Sequence, residues 1–221
     1  MKRLLVILVT LGMIQQADAQ IKIRAGLEGG VNSTWLFNKK VSDAGDELDY
    51  KATIGGQFGI GAYAKFNKLI GLSLSIMSGS INQKYTERLN VGGVFENSYV
   101  TETKLKYIDI PLLFRLTTDG KVGFYFETGP QFSLLSSAKH EDPTFGSADV
   151  KSNTNSMNIA AILGFGIDAK AGPITITSGL RMGYGITDAG KKPSYTINYE
   201  KTHSAVLGVH LGVAYTFGGA E

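Results

Sequence analysis

The sequence predicts an all-β chain, an eight-stranded antiparallel up-and-down transmembrane β-barrel. Three observations predict it. After residue 20 the chain falls into eight runs in which large apolar residues alternate with small or polar ones, the period of a two-faced strand. The connections between runs alternate between short and long. The chain opens on a segment with the layout of a secretory leader.

Composition narrows the class before any run is read. Of 221 residues, 43% are hydrophobic and 19% charged, which excludes disorder. Glycine is abundant at 28 residues and proline scarce at 5, as in crowded β-structure. With Cys 0, the chain has no disulfide frame, thiolate metal site or cysteine nucleophile. The net charge of +3 is mild, and no cluster of Lys and Arg interleaves with aromatics, so nucleic acid is not an expected partner.

Lys2 and Arg3 form a positive start, residues 4–14 are almost wholly apolar, and Ala17-Asp18-Ala19 supplies a small-x-small cleavage site. Residues 1–19 therefore read as a signal peptide, with residues 20–221 as the barrel domain and Gln20 as the mature start. The apolar stretch is shorter than the roughly 20 residues of a membrane-spanning helix. No later segment approaches that length, so a membrane-inserted chain must cross as a closed barrel.

Each run has two faces. In the first, Ile21, Ile23, Ala25, Leu27 and Val31 oppose Arg24, Gly26, Glu28, Gly30 and Asn32. In the second, Ile54, Phe58, Ile60, Ala62 and Phe66 oppose Thr53, Gln57, Gly59, Gly61, Tyr63 and Lys65. Ile70, Leu72, Leu74 and Ile76 oppose Gly71, Ser73, Ser75 and Met77 in the third. Ile108, Ile110, Leu112, Phe114 and Leu116 oppose Tyr107, Asp109, Pro111, Leu113 and Arg115 in the fourth. The fifth sets Val122, Phe124, Phe126, Phe132 and Leu134 against Gly123, Tyr125, Glu127, Gly129, Gln131 and Ser133. The sixth sets Met157, Ile159, Ala161, Leu163, Phe165 and Ile167 against Ser156, Asn158, Ala160, Gly164, Gly166 and Asp168. In the seventh, Ile174, Ile176, Leu180, Met182, Tyr184 and Ile186 oppose Thr175, Thr177, Gly179, Arg181, Gly183, Gly185 and Thr187. In the last, the odd positions from His203 to Phe217 are mostly large and apolar, and the even positions Ser204 to Thr216 are mostly small or polar.

A soluble barrel would turn the apolar face inward. The membrane reading inverts it, on two grounds. The small face carries Arg24, Glu28, Lys65, Asp109, Arg115, Glu127, Asp168 and Arg181 among many glycines, and a narrow lumen needs both small residues and paired charge. These eight are expected to form a balanced network that plugs the barrel. The apolar face carries Trp35, Phe66, Phe114, Tyr184, Tyr215 and Phe217 near run ends, as in the aromatic girdles of membrane barrels.

Residues 67–68, 117–121 and 170–173 make short polar turns. The connections near residues 36–51, 82–99, 136–154 and 187–201 are long, the rhythm of periplasmic turns and outer loops. No catalytic, cofactor or metal site is expected. His140 is placed in a loop, His203 on the lipid face with Ala205 rather than a serine beside it, and His210 in the lumen. A Ser–His–acid hydrolase needs a tighter constellation. Asp43, Asp46, Glu47 and Asp49 lack the ligand order of a calcium loop and read as a solvated acidic loop.

The run from Tyr107 to Phe114 (Tyr-Ile-Asp-Ile-Pro-Leu-Leu-Phe), the run Phe126-Glu127-Thr128-Gly129-Pro130 and the run Leu134-Leu135-Ser136 resemble PorT-like outer-membrane barrels of the Bacteroidetes group. The resemblance implies an eight-stranded barrel in a bacterial outer membrane, often of unassigned function, with one branch tied to a secretion system for surface proteins. It brings no catalytic residues. The expected function is a non-enzymatic barrel that anchors surface loops or assists envelope assembly or secretion, with outer-membrane lipid and envelope or secretion proteins as partners. A narrow pore and a lipid-modifying enzyme are the alternatives. Pro111 and Pro130, each without an N–H to give the ladder, predict a shared local distortion in neighbouring strands.

Overall fold

In the computed structural model the described residues are 21–44, 48–51, 53–91, 94–192 and 199–217. The expected leader and Gln20 lie outside them, as do Asp46 and Glu47. The strands in chain order are β1 (Lys22–Asn38), β2 (Leu48–Lys51), β3 (Thr53–Lys65), β4 (Ile70–Val91), β5 (Val94–Thr117), β6 (Val122–Asp142), β7 (Gly146–Asp149), β8 (Met157–Ala171), β9 (Ile174–Gly185) and β10 (Thr202–Phe217). One short helix, α1 (Lys39–Asp43), follows β1.

Eight of these strands close a ring, β1-β3-β4-β5-β6-β8-β9-β10, every neighbour antiparallel. The first strand closes on the last, from Ile23↔Phe217 to Asn38↔Thr202. The sheet has ten strands rather than eight because β2 and β7, four residues each, pair on the outer parts of β4 and β6. They add to two hairpins without entering the ring.

The faces fall as the alternation predicts. Leu207, Leu211 and Val213 are about half exposed on the outside, and Ile54, Phe58, Ile60, Ile76, Phe124 and Ile176 are exposed there by half or more. Their partners in the alternation, among them Ser73, Met77, Tyr125, Glu127 and Arg181, are buried within the ring. An apolar belt outside and a polar, tightly filled interior invert the layout of a soluble barrel.

Short turns close one end. In the β3–β4 turn, the Asn67 carboxamide oxygen accepts from the backbone N–H of Leu69 and Ile70 at 2.8 and 2.7 Å. The β8–β9 turn is tighter than expected. Lys170 and Ala171 stay in β8, and Gly172 makes the reversal at φ +58°, where glycine avoids the Cβ clash.

At the other end the expected loop near residues 82–99 is mostly paired strand. The β4–β5 ladder runs on to Val91↔Val94 with a bulge at Arg88/Leu89. About 10 residues suffice to cross a bilayer, so roughly half of each of these long strands lies beyond the belt. Period two of hydrophobicity fades there because the outer face meets water while the inner face is closed by polar side chains, Gln83 and Thr101, as well as by Ile81 and Leu105, which hid the strand from the sequence pattern. His140, expected in a loop, lies on β6 opposite Thr103 of β5 for the same reason.

The proline distortion is present. The β4–β5 pairing breaks between Leu74↔Leu112 and Met77↔Asp109, and the β5–β6 pairing between Pro111↔Gln131 and Phe114↔Thr128. Pro130 faces Ala161 across the next seam.

Candidate functional site

The ring encloses a lumen filled in three layers. Towards the turns lies a charged layer. Asp168 of β8 accepts from both Arg24 of β1, at 3.1 and 3.2 Å, and Arg115 of β5, at 2.7 Å. Thr177 adds a hydroxyl to the same carboxylate at 2.8 Å. Glu127 of β6 accepts from Nε and Nη2 of Arg181 of β9 at 3.0 and 2.7 Å, and Arg115 lies 3.8 Å from its other oxygen. Arg24, Asp168, Arg115, Glu127 and Arg181 thus join five strands through one connected set. Glu127 is 1% exposed, and charges so enclosed persist only when paired.

Two tyrosines complete this layer. The Arg115 guanidinium lies 3.7 Å from the centre of the Tyr125 ring and 5.2 Å from that of Tyr63, and Arg24 lies 4.3 Å from Tyr63. A charge-only reading of the small face misses them. Their signal in the sequence is size, since each is a large ring among glycines and serines on that face. A desolvated cation–π contact is worth about 2 kcal/mol. Tyr125→Leu should therefore lower the urea midpoint modestly, with Tyr125→Phe close to wild type.

Three of the eight predicted network residues stand apart from that connected set. Glu28 accepts from Ser75 at 2.8 Å and lies 3.9 Å from His210 Nε2; His210 is lumenal. Lys65 points to the turn side, where it donates to Asp119 at 2.6 Å. There the Lys65 hydrogen bond, ahead of its charge and those of Lys170 and Lys68, holds the Asp119 carboxyl below the usual carboxylate range. A depressed carboxylate contributes above its unfolded pKa and loses that contribution as pH falls through the folded value, so this pair weakens in acid. Asp109 has no cationic partner within salt-bridge distance among the described residues and lies in the second layer. The expected eight-charge network is therefore a five-member set, because strand stagger places Lys65 at the rim, Asp109 above the plug and Glu28 beside Ser75 and His210.

The second layer is a small chamber. Asn32, Gln57, Gly79, Asp109, Gln131, Ser133, Asn158 and Ser204 are among its lining residues, with Arg181 below. The space open to the centre of a water molecule is ≈ 30 Å³, room for about two waters.

The third layer is an apolar cap. Leu36, Ile81, Leu105, Tyr107, Leu135, Ala138 and Ala189 form one buried cluster, with Val150 and Val206 packed against it. Val150 and Ala189 come from the long connections. The N–H of Val150 donates to the Ala138 carbonyl at 3.1 Å, and that of Ala189 to the Thr202 carbonyl at 2.8 Å. These connections thus fold over the mouth. The Gln83 carboxamide ties the rim together, accepting from Leu36 N–H at 3.0 Å and donating to the carbonyls of Lys51 and Lys84.

The remaining histidines have simple partners. His140 Nδ1 meets the Thr103 hydroxyl at 3.1 Å. His203 Nδ1 meets the Gly185 carbonyl at 2.9 Å, and its ring stacks on Tyr184 outside the ring of strands.

A closed antiparallel ring with an apolar belt outside and buried ion pairs inside defines an outer-membrane β-barrel. The chain belongs to the outer membrane protein beta-barrel domain family, whose model matches residues 15–191. No curated protein matches it. Among solved structures it is similar to Neisserial surface protein A, at 15% identity and TM-score 0.45 over 89% of this chain and 97% of that one. It is also similar to Ail, the attachment invasion locus protein of Yersinia pestis, at 14% identity and TM-score 0.44 over 88% and 98%. OprG of Pseudomonas aeruginosa is similar at 16% identity and TM-score 0.44 over 91% and 97%.

Proposed function

We propose that this outer-membrane barrel is a non-enzymatic anchor that holds its outer hairpins at the cell surface, in the manner of the PorT-like branch of such barrels. One observation carries the reading: the lumen is closed by the plug on one side and the cap on the other, with only a small chamber between, while β4 and β5 continue to Val91 and Val94, far past the belt. The material of the chain is spent on a sealed base and a projecting platform. Its partners are outer-membrane lipid around the belt and envelope-assembly or secretion proteins at the hairpins. Residues 1–19 serve as its export signal.

The pore and enzyme readings have less support. A conducting path needs continuous water, and here ion pairs and packed side chains stand along the axis. A Ser–His hydrolase needs a serine hydroxyl on the base, whereas His140 and His203 meet a threonine and a backbone carbonyl. The test is a planar-bilayer recording of the refolded barrel. The expected trace is flat across ±100 mV, roughly the range of physiological potentials. Steady, ion-dependent steps in the wild type would replace the anchor with a pore.

A further inference from the structure

The charge of the lumen does not balance once Lys65 is assigned to Asp119 at the turn. Within the barrel, Arg24, Arg115 and Arg181 face Glu28, Asp109, Glu127 and Asp168. Among these described residues, with His210 neutral beside Arg181 and Arg115, three cations against four anions leave one negative charge. The plug accounts for the others: three arginines bind two carboxylates, and Glu28 acts on Arg181 through space. The surplus is Asp109.

Asp109 is 6% exposed, and its Oδ1 has no hydrogen-bond partner; Asn32, also 6% exposed, has an Oδ1 in the same condition. Both line the chamber, together with the carboxamides of Gln57, Gln131 and Asn158 and the hydroxyl of Ser133. Glycines make room for the two side chains, at the free oxygen of Asn32 and at the other carboxylate oxygen of Asp109. A Cβ on Gly79 would come within 2.6 Å of Asp109 Oδ2, and one on Gly55 within 2.7 Å of Asn32 Oδ1. Arg181 borders the chamber, but its Nε and Nη2 are committed to Glu127. Ser133 and Gln131 hydrogen-bond the Asp109 carboxylate, but no cation stands beside it among the described residues; a buried carboxylate without a counter-charge is costly, and here the space beside it is as small as a few waters.

We propose that the chamber binds one dehydrated monovalent cation, with sodium as the fitting ion, ligated by Asp109 Oδ1 and Asn32 Oδ1 and by neutral oxygens around them. The donors are hard oxygens, which select alkali and alkaline-earth ions over softer metals. A single carboxylate matches one positive charge. Calcium takes about 6–8 oxygens and more negative charge, which the chamber does not offer. Because the plug lies below and the cap above, the ion enters as the barrel folds and leaves slowly afterwards.

The test uses the intact barrel, refolded with ²²Na⁺ and then desalted into N-methylglucamine chloride. Wild type should retain sodium stoichiometrically, and Asp109→Asn should lose it. The urea midpoint of wild type should rise with sodium during refolding, as expected for an ion that binds only the folded state, and that of Asp109→Asn should not. The wild-type ion comparison stands even if the variant misfolds. Absence of retained sodium with a sodium-independent midpoint would overturn the proposal. So would stabilisation by acid alone, which would make the counter-charge a proton, or displacement of sodium by equal calcium.

Discussion

Glu127→Ala should destabilise the barrel by roughly 3–5 kcal/mol, the cost of breaking a buried ion pair from one side. The effect follows from position. Glu127 is 1% exposed and receives two hydrogen bonds from Arg181, with Arg115 at 3.8 Å. Removing it strands Arg181 without its partner and leaves Arg115 with Asp168 alone. Arg181→Ala should cost a similar amount. The double replacement Glu127→Leu/Arg181→Met should recover much of the loss, since apolar groups of similar volume often match a buried pair in stability. Urea titration followed by the mobility difference between folded and boiled samples measures all three. Additive losses in the double variant would show that the two residues do not act as a pair.

Leu211→Arg should cost about 2–4 kcal/mol, the penalty for a cation near the membrane midplane on a lipid-facing strand. Leu211 lies in the middle of β10, between Gly29 of β1 and Ser178 of β9, and is 54% exposed. Leu211→Ile should be nearly neutral. In a soluble barrel the outcome would reverse, because an arginine at a half-exposed surface position changes stability little. The pair of variants therefore reads out which face meets lipid.

Much of this was legible in the sequence, for a physical reason. Where a strand divides lipid from a packed lumen, its two faces impose opposite demands, so Leu207 and Gly208, or Phe126 and Glu127, announce their sides. The same logic fails above the belt. Lys84, Thr86, Thr101 and Thr103 lie on paired strand yet show no contrast between faces, and the hairpin read as a loop. Pairing inside the lumen was legible only in part. The charges were visible, but Arg24 and Asp168 are 144 residues apart, and stagger around the ring decides which levels meet. That is why Lys65 and Asp109 were grouped with a plug that neither joins. Tyr63 and Tyr125 escaped because a tyrosine on a small-residue face reads as filler until a guanidinium is seen above it.

The claim that the lumen is sealed at both ends has a direct test, because the chain has Cys 0 and accepts single reporters. Ser133→Cys places a thiol in the chamber, where Ser133 is 1% exposed, while Ser152→Cys places one on the exposed outer connection. A small charged methanethiosulfonate is applied to the folded barrel and then in urea. The sealed lumen predicts rapid labelling at 152, no labelling at 133 until unfolding, and full labelling at both afterwards. Labelling of the folded barrel at 133 on the timescale of 152 would mean that water and ions reach the chamber, and the sealed-lumen account would be wrong.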